Sequence, residues 1–239
     1  MATTQTGKDG FTVWVTGMSG SGKSTLAAQL GQRIRAVGRL VEVLDADELQ
    51  KHNLSVGLDA TKDDRNSDVR RLGYVARLLS RNGVVAIVAS TSPHREARDQ
   101  NRKEIGRFVE VFADAPVEIL IARDPRGYYK KALAGELHNF IGITAPYEPP
   151  TNPEVAVKTH AEKVDASVQQ ILQTMLDLGY LKPAEVSVMI GQKARRRPID
   201  RKRHSRPARA TRTVPKRAQV KPVRKAHRPA KSSARRAKR

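Results

Sequence analysis

Eight residues near the N-terminus have the spacing of a loop that binds phosphate groups. Residues 17–24 read Gly-Met-Ser-Gly-Ser-Gly-Lys-Ser and match G-x-x-x-x-G-K-[ST] at every fixed position. The glycines let consecutive backbone N–H groups turn inward around phosphates, Lys23 can reach the transferred phosphate, and Ser24 offers a hydroxyl to Mg²⁺. This segment, called the phosphate loop below, therefore predicts binding of a nucleoside triphosphate together with Mg²⁺.

Two carboxylates form the next candidate group. Asp45 and Asp47 follow Leu40–Leu44, a mostly apolar segment typical of a buried parallel strand. In extended backbone they would point to the same side, into the crevice where α/β sheets bind ligands. Such a pair can hold Mg²⁺ through water and accept a proton from a hydroxyl. The alternative is a solvated turn in which the aspartates cap a helix.

Hydroxyl and guanidinium groups supply the remaining candidates. Residues 90–93 read Ser-Thr-Ser-Pro directly after the apolar run Val84–Ala89, which places hydroxyls at a strand end. Arg65, Arg70 and Arg71 lie near the start of a helical pattern. Without further context, arginines at such positions indicate a charged solvent-facing surface.

The elements that must position these residues alternate between strand and helix. That alternation predicts an α/β three-layer sandwich with a mostly parallel five-stranded sheet and helices on both faces. The phosphate-loop motif after the first strand makes the P-loop NTPase type the expected fold. The irregular, proline-rich interval Leu137–Pro153 is typical of a lid or binding loop. The predicted strands are Phe11–Thr16, Leu40–Leu44, Val84–Ala89, Phe108–Phe112 and Val155–Thr159, and the predicted helices are Ser24–Val37, Lys62–Arg81, Arg95–Ile105, Val117–Arg123, Tyr128–Leu133 and Glu162–Leu178.

The basic charge of the chain is concentrated at one end. The 239 residues carry a net charge of +21, yet residues 193–239 alone contain 21 Lys and Arg against Asp200. This segment lacks aromatic residues and contains regularly spaced prolines, so it is predicted to be a disordered basic tail. The predicted organisation is a flexible N-terminus at 1–9, one domain with the phosphate loop at 10–182, a linker at 183–192 and the tail at 193–239.

Composition also excludes several classes of protein. The absence of cysteine excludes disulfides, zinc-cysteine sites and thiol catalysis, and fits a reducing compartment. Val84–Ala89 is the longest apolar run and is too short to span a bilayer, and Met1–Gly10 lacks the apolar core of a signal peptide. We therefore expect a cytoplasmic protein without a membrane partner.

Taken in order, the motifs from Phe11 to Leu178 resemble one family, the adenylylsulfate kinases. These enzymes transfer the γ-phosphate of ATP to the 3′-hydroxyl of adenosine 5′-phosphosulfate. The phosphate loop alone is shared by many kinases, but the ordered set is far more specific. Its members are Trp14-Val15-Thr16-Gly17, Leu44-Asp45-Ala46-Asp47, Asp64-Arg65, Arg70-Arg71, Ser92-Pro93, Glu110-Val111-Phe112, Arg123-Asp124, Tyr129-Lys130-Lys131-Ala132, Gly135-Glu136, Phe140-Ile141-Gly142-Ile143 and Pro146-Tyr147-Glu148-Pro149-Pro150.

The resemblance implies a role for each matching residue. Asp47 is the expected base, and Asp45 with Ser24 is expected to organise Mg²⁺. Ser92 occupies the position that some accounts assign to a phosphoserine intermediate; we expect direct in-line transfer, with Ser92 contacting the acceptor. The implied acceptor-binding residues are Arg65, Asp68, Ser92, Lys131, Phe140, which would stack on adenine, and Gly142, and the implied ATP-binding residues are Gly17, Met18, Ser19, Gly20, Ser21, Gly22, Lys23, Ser24 and Thr25.

Four departures from the family pattern concern the acceptor. Gln50 and Leu133 replace arginines, Leu58 replaces an aromatic residue, and Asp68 replaces an asparagine. Two alternatives to adenylylsulfate kinase activity therefore stay open. One is a kinase of the same fold that phosphorylates another small hydroxylated or nucleotide-linked acceptor. The other is a nucleic-acid-associated protein that acts through its basic tail, although the tail could equally be a weak solubilising extension. A homodimer is possible in each case.

Overall fold

The computed structural model describes residues 9–191, which form a parallel sheet covered by helices on both faces. The strand order is β2-β3-β1-β4-β5, and every neighbouring pair is parallel. The α/β sandwich predicted from the sequence is confirmed. The strands are β1 (Phe11–Thr16), β2 (Val41–Asp45), β3 (Val85–Ala89), β4 (Phe108–Asp114) and β5 (Val155–Lys158), and the helices are α1 (Lys23–Ala36), α2 (Ala46–Lys51), α3 (Lys62–Arg81), α4 (Arg95–Ile105), α5 (Val117–Arg123), α6 (Tyr128–Leu133), α7 (Val164–Asp177) and α8 (Pro183–Gly191).

Strand β1 lies at the centre because its sequence is apolar or β-branched on both sides. All six of its residues are buried. Val13 and Val15 pack with α1, α7 and α8 on one face of the sheet, while Trp14 packs with α3 and α4 on the other. Burial on both faces is what makes parallel strands continuous hydrophobic runs rather than alternating ones.

A third apolar cluster is separate from the two clusters that cover the faces of the sheet. It joins α5 and α6 to the irregular loop after α6, with Leu120, Tyr129 and Phe140 at its centre. Met18 of the phosphate loop and Leu58 pack against the same cluster. The cluster therefore connects the loop predicted to bind a ligand with the loop predicted to bind phosphate.

Two helices differ from the sequence-based prediction. Residues 46–51 form α2, whereas Asp45-Ala46-Asp47 was expected to be extended. Residues 183–191 form α8, whereas 183–192 was expected to be a linker. Helix α8 is stabilised by burial of Val186 and Met189 against the core beside α1 and α7, which is a tertiary effect that local composition does not show.

The predicted N-terminal arm and the basic tail fall at the two ends of the chain. Contacts divide the chain into units Met1–Arg195 and Arg196–Arg239, and the second unit lies outside the described residues. The predictions of a flexible segment before residue 9 and of a disordered tail at 193–239 likewise concern residues outside 9–191. Within the described residues, no helix has both the length and the apolar character needed to cross a membrane.

Candidate active site

The topology brings three candidate groups to one edge of the sheet. Strand β3 lies between β1 and β2, and all three run in the same direction. Their carboxyl ends therefore place the phosphate loop, the segment starting at Asp45 and the segment 90–93 side by side. This is the crevice in which open α/β sheets bind ligands.

The phosphate loop has backbone geometry that requires glycine. Gly22 is in the left-handed region, with φ 89°, and directly precedes the first turn of α1. At Gly17, with φ 150°, an added Cβ would lie 2.6 Å from the Ala113 carbonyl oxygen. The loop thus presents the N-terminus of a fourteen-residue helix, whose free N–H groups and dipole favour an anion.

Lys23 is held close to the loop from which it projects. Its Nζ donates a hydrogen bond of 2.9 Å to the Met18 carbonyl oxygen. The pKa of Lys23 is lowered to about 8, chiefly by burial and also by the charge of Arg126, while the charges of Asp47 and Asp45 partly offset the shift. Lys23 therefore lies within electrostatic reach of both aspartates and of Arg126.

The carboxylate pair has a different geometry from the one expected for extended backbone. Asp45 ends β2 and caps α2, with its Oδ1 accepting a 3.0 Å hydrogen bond from the Asp47 backbone N–H. Asp47 lies in the first turn of α2. The expectation of two aspartates side by side on a strand is wrong, because the helix begins one residue earlier than the second aspartate. The helix-capping alternative holds for Asp45.

Asp47 instead faces a basic residue from a distant part of the chain. Arg126 Nη1 lies 2.7 Å from Asp47 Oδ2, and both side chains are almost half exposed. Arg126 comes from the turn between α5 and α6 and stacks on the Tyr128 ring at 5.0 Å. The sequence-based site omitted Arg126. The sequence contained one indication of a role for Arg126, its position close to the family motif Arg123-Asp124. Nothing in the local sequence indicated that this turn reaches Asp47.

A cavity lined in part by Asp47 contains three of the six expected acceptor-binding residues, Arg65, Asp68 and Ser92; we call it the acceptor cavity. Its walls come from α2, from the segment after α2, from the start of α3 and from the end of β3. These segments are separated in sequence and meet only through the fold. The lining residues are Ala46, Asp47, Gln50, Ser55, Val56, Gly57, Leu58, Arg65, Asp68, Val69, Ser90, Thr91, Ser92 and Pro93.

Arg65 organises the walls of the acceptor cavity. Its Nε donates to the Ala60 carbonyl oxygen at 3.0 Å, and its Nη2 donates to the carbonyl oxygens of Leu58 and, at 2.9 Å, of Asn139. Within residues 9–191, Nη1 has no hydrogen-bond partner. One arm of the guanidinium thus ties two loops together, and the other is open to an anion.

Asp68 is a buried carboxylate in the same wall. Its Oδ2 accepts a 2.6 Å hydrogen bond from Ser55 Oγ, and its Oδ1 lies 3.3 Å from Arg71 Nη2. The Arg71 side chain is 64% exposed, so the charge of Asp68 is only partly balanced from that side. Asp68 consequently adds negative character to the cavity, where the family pattern has a neutral asparagine.

The other expected acceptor-binding residues lie beside the cavity rather than in its wall. Phe140 is 2% exposed and meets the Tyr129 ring edge-on, with ring centroids 5.0 Å apart. Gly142 lies against the phosphate loop, since an added Cβ would come within 2.7 Å of Met18 Sδ. Lys131 is exposed on α6, as is Leu133, whose exposure is 60%. Of the four departures, Gln50, Leu58 and Asp68 line the cavity and Leu133 does not.

Ser92 lines the acceptor cavity but has little accessible side chain. It is 1% exposed, and its Oγ accepts a 3.1 Å hydrogen bond from Trp14 Nε1. Its φ of 40° is in the left-handed region, which is unusual for a residue other than glycine. The geometry favours a role in shaping the wall, and it offers no room around Oγ for a phosphoryl group.

Several known proteins similar to this chain are described as adenylyl-sulfate kinases. A family profile described as "Adenylylsulphate kinase" matches residues 9–158. The adenylyl-sulfate kinase of Rippkaea orientalis is 48% identical over 180 residues, covering 75% of this chain and 99% of the relative.

Two solved structures of APS kinases are also similar to this chain. The Mycobacterium tuberculosis APS kinase in complex with AMPPNP and APS is 37% identical, with a TM-score of 0.66, and the match covers 70% of this chain and 98% of that one. A hexameric APS kinase from Thiobacillus denitrificans is 36% identical, with a TM-score of 0.55, over 74% of this chain and 30% of that one.

Proposed function

The chain belongs to the adenylylsulfate kinase family, and we propose that it transfers the γ-phosphate of ATP to the 3′-hydroxyl of adenosine 5′-phosphosulfate. The observation that carries the proposal is the position of Asp47. Its carboxylate lies within electrostatic reach of Lys23, and Asp47 also lines the acceptor cavity beside Arg65. A base between the phosphate loop and the acceptor cavity can contact an acceptor hydroxyl and a terminal phosphate at the same time.

ATP would bind along residues 17–25. The backbone N–H groups of the phosphate loop and the first turn of α1 would cradle its phosphates, with Lys23 at the transferred group. Within residues 9–191, no group of three or more acidic or histidine residues could hold a metal. That suits Mg²⁺, which binds through few protein oxygens together with phosphates and water.

Ser24 and Asp45 carry the oxygen atoms that would hold Mg²⁺. Ser24 is exposed in the first turn of α1, and Asp45 ends the strand beside it in the crevice. When bound, Mg²⁺ neutralises charge on the phosphates. The remaining chemistry is assigned to side chains of this chain.

Phosphoryl transfer needs one proton transfer and one displacement. Asp47 accepts the proton of the 3′-hydroxyl as that oxygen bonds to the γ-phosphorus, while the bond from phosphorus to the bridging oxygen of ADP breaks. Lys23 and Arg126 offset negative charge on the transferred group. Because Arg126 is paired with Asp47 at 2.7 Å, it must exchange this partner for phosphate oxygens when ATP binds.

The acceptor would occupy the cavity beside Asp47. We assign its anionic groups to the free Nη1 of Arg65 and to Lys131, which approaches from α6. Phe140 would stack on adenine after the packing around it opens. Gly142 and Ser92 shape the site, Gly142 through its contact with Met18 and Ser92 through its backbone. Asp68 would face the acceptor from the wall of the cavity.

A kinase for a different small acceptor is the second candidate, and the same cavity favours it. Three of the four departures from the family pattern line the cavity, where they would contact an acceptor: Gln50, Leu58 and Asp68. A buried carboxylate disfavours an anionic acceptor and favours hydroxyl groups as ligands. The preferred acceptor therefore decides between the two candidates.

A coupled assay of ADP release with purified protein tests the proposal. Adenylylsulfate is compared with other nucleotides and with sugars at equal concentration, and phosphorylation at the 3′-oxygen is verified by mass spectrometry. We expect adenylylsulfate to give the highest kcat/KM. A higher value for a neutral sugar would establish the second candidate instead.

Assembly and location stay predictions for this chain. Hexamer formation is a property of the Thiobacillus denitrificans protein, whose chain is much longer than the part matched here. We propose a homodimer in the cytoplasm. Light scattering of the purified full-length chain would test the homodimer, and fractionation of cells would test the location.

A further inference from the structure

A buried arginine connects one wall of the acceptor cavity to the loop around Glu148, and we propose that Arg98 is a positioning residue for this cavity. Arg98 lies on α4, is 1% exposed, and takes no part in the mechanism above. Its Nη1 donates to the Ser92 carbonyl oxygen, and its Nη2 donates to the Glu148 carbonyl oxygen at 2.7 Å. This inference rests on the proposed function, since it concerns how the acceptor is held.

The cavity wall that Arg98 contacts is strained at Ser92. Within residues 9–191, Ser92 and Asn53 are the residues other than glycine whose φ lies in the left-handed region, at 40° and 59°. Such a conformation persists only where the surroundings over-determine it. Two contacts do so at Ser92: Arg98 binds its carbonyl oxygen, and Trp14 donates to its hydroxyl at 3.1 Å. Without Arg98, the segment 90–93 would lose the contact that fixes its carbonyl.

Arg98 also contacts the segment 146–150, which we call the strap and which lies outside the lining of the acceptor cavity. Glu148 is its anchor. The Glu148 backbone N–H donates to the Pro93 carbonyl oxygen at 2.9 Å. Its Oε2 accepts a 2.9 Å hydrogen bond from the backbone N–H of Arg95, the first residue of α4. The hydrogen bond from Arg95 holds the pKa of Glu148 below its usual range. The strap is therefore docked on the same α4 that carries Arg98.

The strap also reaches the phosphate loop. Tyr147 OH lies 3.0 Å from Thr16 Oγ1, directly before the loop, and Arg98 lies 5.9 Å from the centre of the Tyr147 ring. Five residues earlier in the chain, Gly142 contacts Met18. Arg98 thus connects the cavity wall at Ser92 with the segment that leads back to Phe140.

A purely structural ion pair would not account for this arrangement. Arg98 Nε lies 2.7 Å from Glu110 Oε1, but Arg102 binds the other oxygen of Glu110 at 3.0 Å and also pairs with Glu154. Glu110 therefore keeps a partner when Arg98 is replaced. The contacts that only Arg98 makes are those to Ser92 and Glu148. Arg102, which makes neither, is the matched control.

The test measures the acceptor and the wall separately in the full-length protein. Trp14 is the single tryptophan of the chain, and its indole donates to Ser92, so its fluorescence reports on the wall without any acceptor. We expect Arg98→Met to shift the Trp14 emission and to raise the KM for the acceptor at least about tenfold, the effect of losing one charge-assisted contact. The KM for ATP should change less than about twofold, the size of change that leaves a binding free energy nearly unaltered. Arg102→Met should lower the melting temperature and leave both readouts unchanged.

A second variant covers the case in which Arg98→Met does not fold. Arg98→Lys keeps a positive charge beside Glu110 but cannot bridge two carbonyl oxygens with a planar fork. It should raise the acceptor KM and shift the Trp14 emission in the same direction. Unchanged emission and acceptor KM in a folded Arg98 variant would overturn the proposal, as would an equal rise in both KM values.

The test of Arg98 gives an answer even if the proposed function is wrong. If the wild type phosphorylates a different acceptor, the KM comparison is made with that acceptor, and the Trp14 measurement needs none. Wild-type inactivity on adenylylsulfate therefore overturns the proposed function, whereas the response of Trp14 to Arg98→Met decides the role of Arg98.

Discussion

The donor half and the acceptor half of the site are built in different ways. The phosphate loop is one continuous segment, residues 17–24, and it acts largely through its backbone and the start of α1. The acceptor cavity is assembled from four separate stretches between residues 46 and 93. One half is a property of local sequence, and the other is a property of how distant segments pack.

The two halves also differ in how closely they keep the family pattern. The phosphate loop matches at every fixed position, whereas Gln50, Leu58 and Asp68 depart from the pattern and all line the cavity. A loop that binds through backbone N–H groups depends on glycine geometry and leaves little freedom. A cavity formed by side chains can change its chemistry by single substitutions without changing the fold.

The largest expected effect is in the donor half. Lys23→Ala should lower kcat by about 10³-fold, because a preorganised charge at the transferred phosphate contributes on this scale. Rapid-quench or coupled assays would measure it, and thermal melting would verify the fold, since Lys23 also bonds the Met18 carbonyl oxygen. Lys103→Ala, an exposed lysine on α4, is the control. Retention of more than about a tenth of the rate would contradict the assignment of Lys23.

The second prediction concerns Asp47, which lies between the phosphate loop and the acceptor cavity. Asp47→Asn should lower kcat at least about 10²-fold, the usual scale of general-base catalysis. The affinity for ATP, measured by calorimetry, should stay nearly unchanged. Glu48→Gln removes an exposed carboxylate from the same turn of α2 and should leave kcat intact. If the main effect of Asp47→Asn were on ATP affinity, Asp47 would organise the metal rather than serve as the base.

The third prediction tests the acceptor half by restoring the family pattern. The triple change Gln50→Arg, Leu58→Phe and Asp68→Asn should lower the KM for adenylylsulfate at least about tenfold, because one regained charge-assisted contact is worth about 1.5 kcal/mol or more. Leu133→Arg, which lies outside the cavity wall, should change this KM less than about twofold.

Each other outcome of this experiment identifies a specific error. A gain from Leu133→Arg alone would mean that α6 closes over the acceptor. An inactive wild type that gains activity on adenylylsulfate through the triple change would mean that the natural acceptor is a different molecule. An active enzyme that is insensitive to all four changes would remove these positions from the acceptor site.

The smallest expected effect on catalysis comes from the basic tail, outside the described residues. Deleting residues 193–239 should leave kcat within about twofold, since every residue that we assign to the site lies within 9–191. The full chain should bind DNA and RNA without sequence preference and with steep salt dependence, because its +20 segment releases counterions. Filter binding at several salt concentrations measures this. Equal binding by the truncated chain would place the nucleic-acid site in residues 1–192.

Most elements could be predicted because their determinants are local. Strand β1, α3 and α4 begin and end where the apolar pattern and the turn residues indicated. At the start of α3, Thr61 and Asp64 form a reciprocal capping box, which a short sequence window contains in full. Agreement is close wherever a helix or strand is specified by its own residues.

Predictions failed where a distant contact decides the conformation. Helix α8 is held by Val186 and Met189 in the core and by Glu185, which pairs with Arg39 at 2.9 Å. The failure at α2 has a local cause instead: Asp45 ends β2 and caps the helix, whereas the expected extended backbone continued past the end of the strand.

The sequence by itself determined the phosphate-loop pattern and the family of kinases, because glycine spacing and ordered motifs are properties of neighbouring residues. The role of Asp47 as the base stays a prediction. Only the tertiary structure decided that Arg126 faces Asp47, that Arg65 and Arg98 hold the cavity walls, and that Leu133 lies outside them. The physical reason is range. Backbone geometry is set over a few residues, whereas a side-chain contact between positions 47 and 126 exists only after the sheet has brought their loops to one edge.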